Sequence, residues 1–180
     1  YPGKNLGAYG DAGALVTNNQ KYYKYIIKFR NMGSKVKHEH EIVGINSRLD
    51  TIQASILLHK LKYLDVFNKK RMKIAKIYNQ CIDNKNIIKL NYSASCVYHQ
   101  YVVISSKANK FRKYLKLNKI PFMRHYPKSL NKLKAVKSLF KNEKYKNSER
   151  LARYGTSLPI NPLLKKKDVL KICKVINDFN

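Results

Sequence analysis

Residues 1–19 read YPGKNLGAYGDAGALVTNN. A lysine, Lys4, stands between Gly3 and Gly7, and a short apolar run, Ala14 to Val16, follows. Glycines at these places let the backbone fold closely around a flat ligand, because they carry no Cβ to obstruct it. A lysine that forms a Schiff base must reach a carbonyl and spend time as the free amine. That needs a tight, water-poor pocket in which burial or positive neighbours lower its pKa. Spacing alone favours the plainer reading, a solvated lysine in a turn. The segment is not a phosphate loop of the GxxxxGKS kind, since no Ser or Thr follows Lys4. No initiator Met precedes it, and glycines and apolar residues begin at once. The expectation is a piece of a longer protein.

The sequence has 180 residues, enough for one domain with a small annex and a sizeable core. At 44% hydrophobic and 11% aromatic it does not have the composition of a disordered chain. No apolar run reaches the roughly 18 residues of a membrane-spanning helix. The three cysteines, Cys81, Cys96 and Cys173, are odd in number and form no CxxC. Neither a disulfide framework nor a zinc site is expected, and the default location is the reducing cytoplasm. His38 and His40 alternate with Glu39 and Glu41 in a loop without cysteine, which is poor ligand geometry, so no metal is expected.

Lys plus Arg number 38 against 10 acids, a formal charge of +28. Only seven of the 38 are arginine, and the lysines are spread along the whole chain among many Asn, Ile and Tyr residues. That is the profile of codons drifting toward A and T, although drift explains abundant lysine better than scarce acid. A solvated lysine surface with incidental affinity for phosphate polymers is the plain reading. No aromatic-basic RNA motif is present, so no specific nucleic acid is expected.

Residues 13–18 read as a short strand without a partner in their own half, so its sheet is expected to lie outside this sequence. Helical spacing follows from Tyr22 to Phe29, with Gly33 as a stop. Residues 34–45 read as a loop. The stretch from Asn46 to Asn84 is helical, as one helix or as two with a kink near Asp65. Ser47 and Asp50 resemble a capping box at its start. After a polar break at 84–91 the pattern changes to β-branched and aromatic residues at 96–105, a strand. Helix is expected at 107–118, extended chain at IPFMRHYP, helix in two pieces over 131–154, and irregular chain or a short strand at GTSLPINPLL. A last helix begins near Asp168 and ends near Asn177.

The opening stretch resembles the active-site segment of the DegT/StrS-type nucleotide-sugar aminotransferases, pyridoxal-phosphate enzymes of fold type I. Three further blocks follow in that family's order. GINSRLDTIQASIL at 44–57 resembles its interdomain helix signature. YHQYVV at 98–103 with RHYP at 124–127 resembles its small-domain substrate segment. SERLARYGTSLPINP at 148–162 resembles its closing motif.

The resemblance implies an α/β fold, the C-terminal half of a fold-type-I aminotransferase. Residues 1–47 would end the large cofactor domain, 48–84 would form the interdomain helix region, and 85–180 would be the small αβ domain. It implies a pyridoxal 5'-phosphate enzyme, a homodimer with shared active sites. Lys4 would be the Schiff-base lysine. Asn46 would contact the cofactor phosphate of the neighbouring subunit, with Arg48 helping on phosphate or substrate anions. His125 and Tyr126 would lie near the nucleotide-linked keto sugar, and glutamate would donate the amine for amino-sugar or surface-glycan synthesis. HYPKSLNKL departs from the family pattern by placing Ser129 and Asn131 where a second Pro and a His are common. The acid for the pyridine nitrogen, the ring-stacking residue and most phosphate contacts belong to the family's other half, so this chain alone is expected to be inactive. Two other readings stand beside this one: an inactive split product that only dimerises or binds, and a basic nucleic-acid binder.

Overall fold

The computed structural model describes residues 1–140 and 144–180. These residues form two compact units, Tyr1–Leu64 and Asp65–Asn180.

In the first unit, α1 spans Gln20–Phe29. Asn19 caps it, its side-chain oxygen accepting from the Lys21 and Tyr22 amides at 2.9 and 3.3 Å. Beyond its end, Gly33 at φ +80° donates its N–H to Lys28 O at 2.8 Å. A Cβ at Gly33 would lie 1.6 Å from Ile42 O, so no other residue fits there. The expected loop at 34–45 instead contains a small antiparallel hairpin, β1 (Ser34–Val36) with β2 (Glu39–His40). Two of the four candidate metal residues have structural partners here: the His40 ring lies 2.9 Å from Met32 O, and Glu41, just after β2, pairs with Lys28. Residues 45–47 are then zipped onto the end of α1. Ile45 N–H donates to Phe29 O and Ser47 N–H to Arg30 O, each at 2.8 Å.

Residues 13–18 have no hydrogen-bonded strand neighbour among the described residues, as expected of a segment whose sheet lies outside this sequence, and Val16 is 93% exposed. One expectation fails in this unit: the capping box is absent. Helix α2 spans Thr51–Leu61, and Asp50, its N-cap residue, makes no side-chain cap bond. Leu49 at φ +69° breaks any helical run from Ser47, and the pairing of Ser47 with Arg30 draws that residue elsewhere.

The long helical stretch is two helices, with α3 running Leu64–Cys81. In the second unit an antiparallel sheet has the order β3–β4–β5, with β3 at Ile88–Lys89, β4 at Tyr101–Ile104 and β5 at Gly155–Leu158. Tyr101 faces Leu158 and Ile104 faces Gly155 across β4 and β5. All four residues of β4 are buried, which is why YVVI reads as a continuous apolar run. Helices α4 (Ala108–Leu117) and α6 (Lys166–Asn177) close the core with α3; α5 (Lys146–Tyr154) leads into β5. Between α4 and α5 lie 3₁₀ turns at Leu130–Lys132 and Lys137–Leu139 rather than a first helical piece; that expectation also runs through 141–143, outside the described residues.

The core holds Ile74, Tyr78, Tyr101, Phe111, Leu115 and Ile176. Its phenols are satisfied: Tyr78 donates to Pro159 O at 2.8 Å and Tyr101 to Asn79 Oδ1 at 2.5 Å. Burial raises both phenol pKa values. It also pushes the Cys173 thiol up to about 11, so this cysteine is a packing residue rather than a nucleophile.

Phe111 is fully buried, its ring 5.0 Å from that of Phe179. Phe111→Ala is expected to destabilise the chain by about 3–5 kcal/mol, the range for emptying an aromatic site. Urea unfolding checks this; a loss below about 1 kcal/mol would mean that the site collapses without a cavity.

Candidate active site

The Lys4 turn is closed by its own backbone. Lys4 N–H donates to Tyr1 O at 3.1 Å. A Cβ on Gly7 would stand 2.4 Å from Pro2 O and 2.6 Å from Tyr1 O, so the turn closes only with glycine there. Gly3 faces open space, with nothing within 4 Å of a Cβ built on it. Helix α2 holds the turn from behind. Lys60 donates from Nζ to Gly7 O, and Gln53 Oε1 accepts from Tyr9 N–H at 2.8 Å. Gln53 and Lys60, two helical turns apart on one face of α2, are site residues that the sequence reading missed. Their spacing of seven was the available signal.

The backbone around Lys4 is therefore fixed while its side chain is exposed. The water-poor pocket that a reactive lysine needs is not built by the residues of this turn.

Asn46 and Arg48 are brought together. They line a cavity of about 1360 Å³, with residues 11–18, the α1 residues Tyr23 and Ile26, and Arg30 just past the end of α1. Asn46 forms a bridge with Asn31, Arg48 Nη1 donates to Asn31 Oδ1 at 3.5 Å, and Arg30 donates to Arg48 O. A guanidinium and an amide on one wall suit a phosphate. Helix polarity does not help: α2 begins at Thr51, not at Asn46, and its first residues follow the carboxylate of Asp50, which also lines the cavity. Asn46 and Ser47, expected at the start of a helix, lie instead in the loop before it. Lys4 is not among the lining residues.

His125 and Tyr126 belong to the other unit. Met123 pairs with Ser157 of β5 through two backbone bonds of 3.1 and 2.8 Å. His125 Nδ1 lies 2.8 Å from Ser157 Oγ, and its ring meets Tyr126 edge-on at 5.5 Å. His125 is thereby fixed, and Tyr126 is 63% exposed. The two departing residues turn inward: Ser129 and Asn131 are both buried. Asn131 donates to Glu149 Oε1 at 3.1 Å, and Lys132 lies 3.4 Å from the same oxygen. The Asn131 amide, then Lys132, hold the Glu149 carboxyl below its usual range. Asn131 and Lys132 fasten the turn to α5 through Glu149.

A glycine-locked lysine turn, a cavity lined by Asn46 and Arg48, and a small αβ unit follow one another along the chain. The chain matches the DegT/DnrJ/EryC1/StrS aminotransferase family over residues 1–177, and it belongs to that family. It is 37% identical, over 99% of its length and 54% of the relative's, to the dTDP-3-amino-3,6-dideoxy-alpha-D-galactopyranose transaminase of Aneurinibacillus thermoaerophilus. Among solved structures it resembles S. venezuelae DesV in complex with a ketimine intermediate, with TM-score 0.91 and 31% identity, covering 99% of this chain and 49% of that one. It also resembles NtdA from Bacillus subtilis with the cofactor PMP bound, with TM-score 0.85 and 25% identity, covering 97% and 43%. The chain spans about half the length of the curated relatives it matches. The fold class expected from the sequence is the one found. No helix among the described residues is long and apolar enough to cross a membrane.

Proposed function

We propose that this chain supplies the C-terminal half of a pyridoxal-phosphate-dependent aminotransferase that carries an amino group from glutamate to the keto carbon of a nucleotide-linked sugar. Residues 1–47 would complete the cofactor domain, 48–84 connect, and 85–180 form the small domain. One observation carries the reading: Lys4 sits on a backbone locked by Gly7 and α2, while Asn46 and Arg48 line a cavity that Lys4 does not enter. Lys4 does not line the cavity that Asn46 and Arg48 line, which accords with a site whose anchor and phosphate donors come from two copies.

Bound pyridoxal phosphate would supply the electron sink. This chain's own side chains would hold the group and move the proton. Lys4 Nζ would anchor the cofactor and, as the free amine, would take a proton from one carbon and return it to another. The Asn46 amide and the Arg48 guanidinium would hold phosphate oxygens. His125, fixed by Ser157, and exposed Tyr126 meet the sugar nucleotide. The three free thiols accord with a reducing cytoplasm. The test is transamination by the enzyme completed with its other half: glutamate should yield 2-oxoglutarate only when a nucleotide-linked keto sugar is present. A reaction that proceeds with free keto sugars equally well would defeat the substrate assignment.

A further inference from the structure

A second hollow, of about 360 Å³, lies wholly within Asp65–Asn180 and has no role in the chemistry above. One wall is a stripe on α3: Lys73, Lys76 and Asn79, three residues apart, with Met72 beside them. Tyr92 and Tyr98 also line it, their ring centroids 5.0 Å apart and their planes tilted by 59°. The aromatic wall is rigid. Tyr92 Oη accepts the Val102 N–H at 2.9 Å, and both rings pack on Tyr101 of the core at 6.0 and 6.2 Å. Tyr98 sits at φ +48°, a conformation that non-glycine residues seldom adopt, with its N–H on Cys96 Sγ at 3.4 Å. The lysine wall is charged and uncompensated. No carboxylate lines the hollow, and neither lysine has an ion pair among the described residues.

Ring faces and cations call for a ligand with a planar ring at one end and an anion at the other. Bases stack on tyrosine faces, and lysines one helical turn apart span adjacent phosphates. We propose that this hollow binds a nucleoside diphosphate, the base against Tyr92 and Tyr98 and the phosphates on Lys73 and Lys76. The site is built by the second unit alone and does not depend on Lys4 or on the aminotransferase reading.

The 180-residue chain itself serves for the test, by titration calorimetry at physiological salt with uridine diphosphate, uridine diphosphate-glucose, uridine and inorganic pyrophosphate. Uridine diphosphate should bind more tightly than uridine or pyrophosphate. Tyr98→Ala should weaken it at least about tenfold, the effect of losing one stacking platform. Lys73→Met with Lys76→Met, both exposed and harmless to folding, should weaken it at least about fivefold through lost phosphate contacts. Lys165→Met with Lys166→Met, outside the hollow, should leave it unchanged. Binding of uridine diphosphate-glucose beside uridine diphosphate means that the hollow takes the linked nucleotide, and its exclusion means that it takes the free one; either result upholds the site. Pyrophosphate binding as tightly as uridine diphosphate would overturn the proposal. So would equal losses in the two lysine pairs, or an undiminished affinity in a folded Tyr98→Ala variant.

Discussion

Borohydride reduction of the completed enzyme is expected to fix one pyridoxal phosphate per chain to Lys4, and Lys4→Ala is expected to abolish both the label and the turnover. The effect is total because no second amine can replace the first. Lys4 is held on a backbone with no slack. Gly7 is so close to Tyr1 and Pro2 that a single methyl would open the turn. The Lys60 ammonium and the Gln53 side chain tie the next residues to α2. A covalent catalyst acts only within near-attack distance, and displacement of the reacting atom by about 1 Å costs on the order of a hundredfold. Lys60, the lysine that braces this turn, has its ammonium on Gly7 O. Peptide mapping of the reduced enzyme checks the assignment. A label on Lys60 or any other lysine would reject it, as would a Lys4→Ala enzyme that still turns over.

The lysine turn was legible as a turn because glycine marks backbone crowding, which Gly7 meets, whereas the chemistry assigned to Lys4 came only from the resemblance. The helical stop at Gly33 was legible for the same reason, and the carbonyl of Ile42 now supplies the crowding. The second unit's order was readable from period: YVVI as a buried strand, then α4 and α6 with their apolar faces. The neighbour of residues 13–18 was expected outside this sequence, and none pairs with them among the described residues. Two things were not readable. The hairpin at 34–40 is short, charged and exposed, so it carries no apolar alternation to reveal it. The start of α2 was placed too early because nothing in Leu49 announces a positive φ.

The site was half legible. Lys4, Asn46, Arg48, His125 and Tyr126 came from a resemblance, while the residues that steady them came only from coordinates. Gln53 and Lys60 look like solvated helix positions until their bonds to the lysine turn are seen. Asn131 looks like an altered ligand residue until its burial and its bond to Glu149 show it to be a fastening. Polar side chains are ambiguous in sequence because one amide can cap, fasten or recognise. Only its partner decides.

Two inactive variants should restore each other. Asn46 and Arg48 are proposed to act on the cofactor held by the partner's Lys4. Each contributes a hydrogen bond to a charged group, about 1–3 kcal/mol. Asn46→Ala alone should therefore weaken cofactor affinity by roughly tenfold, with folding little changed, because its side chain lies exposed on a loop zipped to α1 by backbone bonds. Asn46→Ala with Arg48→Ala in one chain removes both donors and should leave the enzyme essentially without cofactor. Lys4→Ala removes the anchor. In a dimer mixed from these two parents, a shared site built from the two intact halves carries Lys4, Asn46 and Arg48 together. The other site carries every defect. Random mixing makes about half the dimers mixed, each with one intact site of two, so about a quarter of native activity should return. If Lys4 and Asn46 served the same copy's site, every site in every dimer would carry one lesion, and mixing would restore nothing. Mass spectrometry of the intact dimers establishes that mixing has occurred. Confirmed mixed dimers without activity would place Asn46 and Arg48 in their own subunit's site or in none. Recovery near a quarter, absent from either parent, would show that the cavity beside α1 faces the Lys4 of another copy.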